Sequence, residues 1–219
     1  MRLCLFLVAT ALAAQPLVIA HRAFEGTSPI GSDILELDLS VTKDRQIVVH
    51  HDSVAHLTRA QIPKVRGAAD VFAAARQSKA RLMVETKMDP GTDPVWFATQ
   101  VAQLFEQHHI QDQVILQSFD HRTLQTMRKL IPTIPLVLLN PRTELPDYVT
   151  PAHTLSPHAI QFINFRVLTP AIVKTLKAAK IPIYSGTTSD PAEWKRLIAL
   201  GVDAILTDDP AALRALLPR

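Results

Sequence analysis

Cysteine is nearly missing: the 219-residue chain holds one, Cys4. An internal disulfide framework and a cysteine-based metal centre are therefore excluded. Glycine is scarce as well, six in all, and no Gly-x-Gly-x-x-Gly follows the first apolar run after the leader. That absence argues against a dinucleotide-binding open sheet. Aromatics make up 5% and the net charge is only +3. With no lysine/arginine run and no aromatic ladder, nothing marks a nucleic-acid surface. No apolar run is long enough to span a bilayer. The first one, Leu3 to Leu12, follows Met1-Arg2 and has the length of a signal-peptide core. Ala11-Leu12-Ala13 offers small residues for cleavage, expected after Ala13 or Ala14. Residues 1–14 are thus expected to be a signal peptide and 15–219 a single domain, exported to a periplasm or secreted. Cys4 leaves with the leader, which suits an oxidising compartment.

What is present is alternation. Short runs rich in Val, Ile and Leu occur at Leu17–Ala20, Ile34–Leu39, Ile47–His50, Leu82–Glu85 and Val114–Leu116, then at Leu136–Leu139, Ile160–Phe165, Ile181–Tyr184 and Ala204–Leu206. Most are apolar on both faces, as parallel strands buried under helices are. Helix starts separate several of them. Thr169-Pro170, Asp190-Pro191 and Asp209-Pro210 each put a capping side chain before a proline at the first helical position. The pattern predicts an α/β fold, and nine runs fit a small (β/α)₈ TIM barrel with one extra strand. The extra one is Ile47–His50, because Ser40–Gln46 is too short for a crossover helix. It is expected to return as a hairpin at the top of the barrel.

Polar residues inside apolar strands carry the chemistry. In Leu35-Glu36-Leu37-Asp38-Leu39 the period of two puts both carboxylates on one face and the leucines on the other. Inside a barrel two such carboxylates repel each other and are costly to desolvate. A divalent cation removes both problems, and oxygen-only ligands favour Ca²⁺ or Mg²⁺. Glu85 and Lys87 repeat the pattern one element later: Glu85 is a third candidate ligand, and Lys87 a phosphate contact or counter-charge. His21-Arg22 ends the first run and His50-His51-Asp52 ends the hairpin run. Strand C-terminal ends are where barrel active sites assemble. Histidines there suit general acid and base work, and Arg22 can clamp a phosphate. Gln117-Ser118-Phe119 is placed to line the mouth; Asp208 is a further candidate to reach the site, although the cap around Asp209-Pro210 explains most of its placement.

These residues resemble the glycerophosphodiester phosphodiesterase family. The matching blocks are Ile19-Ala20-His21-Arg22, Glu36-Leu37-Asp38-Leu39, Val48-Val49-His50-His51-Asp52, Glu85-Thr86-Lys87, Ser118-Phe119 and Gly201 to Asp208. The resemblance implies a TIM barrel that hydrolyses glycerophosphodiesters to glycerol 3-phosphate and an alcohol. It implies His21 and His51 as the acid/base pair, Arg22 and Lys87 near the phosphate, and Glu36, Asp38 and Glu85 as metal ligands. His51 rather than His50 is the match, because Asp52 must follow it.

The chain departs from the pattern after His21-Arg22. Ala23 replaces a glycine, and residues 23–33 must make the whole first crossover. The first barrel helix is expected to be short or missing, leaving a bare flank for a second copy of the chain or a membrane surface. Two other functional readings stand beside the main one. One is a phospholipase D or sphingomyelinase D-like enzyme acting on intact lipids. The other is an inactive barrel that only binds phosphodiesters.

Overall fold

A computed structural model describes residues 15–140 and 158–218. The expected leader, residues 1–14, lies outside them. Ten strands form one sheet: β1 (Leu17–Ala20), β2 (Ile34–Val41), β3 (Ile47–Val49), β4 (Arg66–Gly67), β5 (Leu82–Thr86), β6 (Val114–Ser118), β7 (Leu136–Asn140), β8 (Ala159–Phe162), β9 (Ile183–Ser185) and β10 (Ala204–Thr207). Eight of them, all but β3 and β4, run parallel around a ring. The ring closes where β1 pairs with β2, Ile19 beside Ile34. Closure excludes an open doubly wound sheet and makes this a TIM barrel.

The helices among the described residues are α1 (Ala68–Ser78), α2 (Pro94–Gln107), α3 (His121–Leu130), α4 (Pro170–Ala178), α5 (Pro191–Leu200) and α6 (Pro210–Leu216). Four of them have proline in the first turn. The Thr169, Asp190 and Asp209 side chains accept the N–H groups of Ile172, Ala192 and Ala212, as the sequence predicts. No helix among the described residues is long and apolar enough to cross a membrane.

Two apolar clusters explain the barrel. The outward faces of the strands, such as Leu37, Leu39, Val84 and Leu116, pack under the helices with Phe72, Phe97 and Phe105. The rings of Phe72 and Phe105 meet edge to face at 5.3 Å. The inward faces form a second cluster of Ile19, Ile34, Met83, Ile115, Val137, Ala159, Tyr184, Ala204 and Leu206. This plug fills the lower barrel. The same inward positions two residues further along the strands form the floor of the mouth.

The hairpin expectation holds. β3 runs antiparallel to β2, with Leu39 opposite Val49, and two-residue β4 adds to its edge. One expected run is corrected: Ile160–Phe165 stops as a strand at Phe162, and Phe165–Val167 forms a 3₁₀ turn. Residues 23–33 contain turns and no helix. The flank they leave is partly covered by α6. Gly31 lies against Pro210 and Ala211, with a φ of +88° and no room for a Cβ. Arg214 donates to the Gly31 carbonyl and pairs with Asp33. Ile30 remains 71% exposed on that side.

Candidate active site

The sequence-predicted residues meet at the C-terminal mouth of the barrel. His21, Arg22, Glu36, Asp38, His51, Glu85 and Lys87 line one cavity of about 340 Å³. β2 supplies Glu36 and Asp38 from its inward face, and β5 supplies Glu85 in register with Asp38. Lys87 follows β5, held by its backbone N–H on the Leu39 carbonyl. His21 and Arg22 follow β1, and His51 follows β3.

Glu36, Asp38 and Glu85 are all buried, and one carboxylate oxygen from each lies within 4.8 Å of the others. Burial, and then the neighbouring Asp38 charge, pushes the Glu36 carboxyl well above its usual range. The same two causes raise Glu85 to about 7. Three carboxyl groups so close do not ionise freely without added positive charge. Part of it is present. Lys87 Nζ lies 3.0 Å from Glu85 Oε1 and 3.7 Å from Asp38 Oδ1. Burial by itself would lower the Lys87 ammonium, but the Glu85 and Asp38 charges hold it above its usual value. Arg22 Nε is 3.9 Å from Asp38 Oδ2, and neither atom has a hydrogen-bond partner among the described residues. Converging buried carboxylates with an orphaned oxygen fit a hard divalent cation.

Backbone shape serves the same cluster. Arg22 adopts a left-handed φ of 50°. Its N–H donates to Glu36 Oε2 at 2.8 Å. Glu36 Oε1 accepts from Gln117 Nε2 at 3.1 Å. Across the mouth Gly186 has a φ of 121°, and a Cβ there would stand 2.5 Å from the Leu206 carbonyl. Only glycine lets the chain pass so close and bring Thr187 to the cavity wall.

Both candidate histidines are tied to a carboxylate through Nδ1. His21 Nδ1 lies 2.7 Å from Asp208 Oδ1, and His51 Nδ1 lies 2.8 Å from Asp52 Oδ1. A carboxylate at Nδ1 favours the proton there and leaves Nε2 for a ligand. The hydrogen bond from His51, the largest influence on it, lowers the Asp52 carboxyl. The His51 backbone N–H also donates to Glu25 Oε2 at 3.2 Å. His50 bonds back to Asp52 and lies off the cavity, so His51 is the one that faces it.

The structure adds three features that the sequence left open or unread. Asp208 reaches His21, a contact hidden because the adjacent Asp209 accounts for the helix cap. Gln161 lines the cavity as the single polar residue of β8. Thr187, Ile163 and Leu206 complete the wall opposite the carboxylates, and no charge marks them.

Comparison with known proteins places the chain in a family. The model of the Glycerophosphoryl diester phosphodiesterase family matches residues 56–212. A glycerophosphodiester phosphodiesterase of Caldanaerobacter subterraneus is 24% identical, over 91% of this chain and 96% of its own. One from Bacillus altitudinis is 25% identical, over 88% and 94%. Among solved structures, a glycerophosphodiester phosphodiesterase from Parabacteroides distasonis superposes with a TM-score of 0.81 at 22% identity, covering 92% of this chain and 96% of that one. An Oleispira antarctica phosphodiesterase in complex with the product sn-glycerol-3-phosphate gives 0.81 at 19%, with the same coverage. The family model spans well over half of the sequence, and the chain belongs to the glycerophosphoryl diester phosphodiesterase family, whose members are phosphoric diester hydrolases.

Proposed function

We propose that the chain hydrolyses glycerophosphodiesters to glycerol 3-phosphate and an alcohol, with a divalent cation held by Glu36, Asp38 and Glu85. The supporting observation is that these three buried carboxylates share one cavity with two histidines, an arginine and a lysine. The Oleispira relative was solved with sn-glycerol-3-phosphate bound, which matches this product. Mg²⁺ and Ca²⁺ both suit an oxygen-only site. Bound by Glu36, Asp38 and Glu85, either would supply Lewis-acid stabilisation of charge on the phosphate.

The chain's own residues do the rest. Arg22 and Lys87 hold the phosphate oxygens as charge develops on them. A water oxygen forms a new bond to phosphorus, and the bond from phosphorus to the alcohol oxygen breaks. One of His21 and His51 takes the proton of the attacking water, and the other gives a proton to the departing alcohol. Asp208 and Asp52 hold the two rings so that Nε2 is the working nitrogen.

A second reading is favoured by one observation. Phe119 and Ile163, 41% and 39% exposed, stand on the rim of the same cavity. They offer an apolar landing for a lipid, as an enzyme acting on intact phospholipids would need. The proposal also keeps export of the mature domain. A second copy or a lipid surface is the proposed cover for Ile30 on the flank that α6 covers only in part.

The test is release of glycerol 3-phosphate from a panel of small glycerophosphodiesters, with and without EDTA. Cation-dependent release supports the main reading. Release only from lipid vesicles supports the second, and no release from either removes both.

A further inference from the structure

The mouth of the barrel has two unlike halves. Among the described residues, strands β1, β2 and β5 bring every charged group that lines the cavity except His51, which follows β3. Strands β6 to β10 bring Phe119, Ile163 and Leu206, with Gln161 and Thr187 among them. A phosphodiester held by the charged half must lay one organic substituent on the other.

Gln161 is the polar group that meets it. The side chain is 2% exposed, and its Oε1 is buried without a hydrogen-bond partner among the described residues. Gln117 is similar: its Nε2 is committed to Glu36, and its Oε1 is buried and unpaired. Buried amide oxygens left unpaired are costly, and native structures pair them with protein, water or ligand. An amide oxygen accepts from a donor, so an anionic phosphate oxygen cannot satisfy it. A neutral hydroxyl can, and it can also accept from the amide nitrogen. The partner called for is therefore an alcohol.

Position tells which alcohol. Gln161 is buried on the floor of the mouth, whereas Phe119 and Ile163 are exposed at the rim. A head group of variable size needs the open rim. The invariant part of the substrate class, its glycerol, fits the floor.

We infer that Gln161 is a specificity-determining residue that accepts a hydrogen bond from a free hydroxyl of the glycerol moiety. This rests on the glycerophosphodiester reading of the site and names the group that selects glycerol within it.

The test compares glycerol 3-phosphate with n-propyl phosphate, which lacks the two hydroxyls, by calorimetric titration with a saturating divalent cation. The wild-type protein is expected to bind glycerol 3-phosphate at least about tenfold more tightly, because an unpaired amide discriminates against the ligand that cannot fill it. In Gln161→Met, of similar length and without polar hydrogen-bonding atoms, that ratio collapses toward one. Gln161→Asn withdraws the amide and should lower the ratio too, which keeps the test open if the Met variant does not fold. Equal affinities in the wild type, or an unchanged ratio in a folded variant, would overturn the inference. Turnover separates the two proposals. A wild-type protein that discriminates between the ligands yet releases no glycerol 3-phosphate would refute the reaction and leave the binding role standing.

Discussion

Ile34 and Glu36 point the same way from the same strand, as do Met83 and Glu85, Ile115 and Gln117, and Ala159 and Gln161. Each pair is two residues apart, so the second member stands one layer higher inside the barrel. The lower layer is apolar and fully packed. The upper layer holds buried carboxylates with raised pKa values and amide oxygens without partners. One scaffold therefore stores stability below and gives it up above, where unsatisfied charge waits for a ligand. Mutations in the two layers should fail in different ways, and this is how the contrast can be broken or sharpened.

The largest effect is expected above. His21→Ala or His51→Ala should cut kcat by about 10²- to 10⁴-fold, the usual share of a positioned acid or base. The melting temperature should barely move, because both rings are partly exposed. A steady-state assay beside a thermal melt checks both halves. Near-normal rates in both variants would remove the proposed acid/base pair.

Below, the order reverses. Ile34→Ala removes a fully buried side chain from the plug. It should cost about 2–5 kcal/mol of stability. Turnover per folded molecule should stay within a few-fold of normal. Denaturant titration gives the stability and active-site counting gives the turnover. If kcat fell a hundredfold with little loss of stability, the plug would belong to the site and the layers would not be separate.

The contrast was only half visible in the sequence, for a physical reason. Glu36, Asp38 and Glu85 stand out because charge inside an apolar run at period two has to be explained. The strands were legible because parallel strands under helices are apolar on both faces, and the prolines marked helix starts. Gln161 was missed because one neutral amide between Ile160 and Phe162 carries no such cost signal. The end of β8 was misjudged because Ile163 and Phe165 extend the apolar run past the last ladder pair at Phe162. Asp208 was undervalued because its link to His21 spans 187 residues of chain, a closure made by β1 lying beside β10.

The charged layer can also be tested by pH. Glu85 is raised from 4.5 to about 7 in the fold. A carboxyl with a raised folded pKa binds its proton more tightly when folded. Its contribution is therefore present at low pH and is lost as pH climbs through the folded value. The cation-free protein should lose up to about 3 kcal/mol between roughly pH 4.5 and 7. Glu36 acts in the same direction. Denaturation midpoints in EDTA across that window should fall with rising pH, and Glu85→Gln should flatten the slope. A divalent cation should restore stability most at the alkaline end, where the carboxylates are ionised. A midpoint that rises with pH across this window would mean that burial and the Asp38 charge do not raise Glu85.

The smallest expected effect lies at the seam between β1 and β10. Asp208 is exposed, but its Oδ1 meets His21 Nδ1 at 2.7 Å. If Asp208 only decorates a helix start, Asp208→Asn should be silent, because Asp209 holds the cap of α6. If it fixes the ring, the amide can meet Nδ1 either as a donor or as a neutral acceptor, and the tautomer that leaves Nε2 free is less favoured. Then kcat should fall about tenfold, the scale of one charge-assisted hydrogen bond. A purely structural role would change the melting temperature and leave kcat in place. A roughly tenfold loss of kcat at constant melting temperature, scaled from one charge-assisted hydrogen bond at about 1–2 kcal/mol, would therefore assign Asp208 to the upper layer, although its side chain reaches that layer from the far end of the chain.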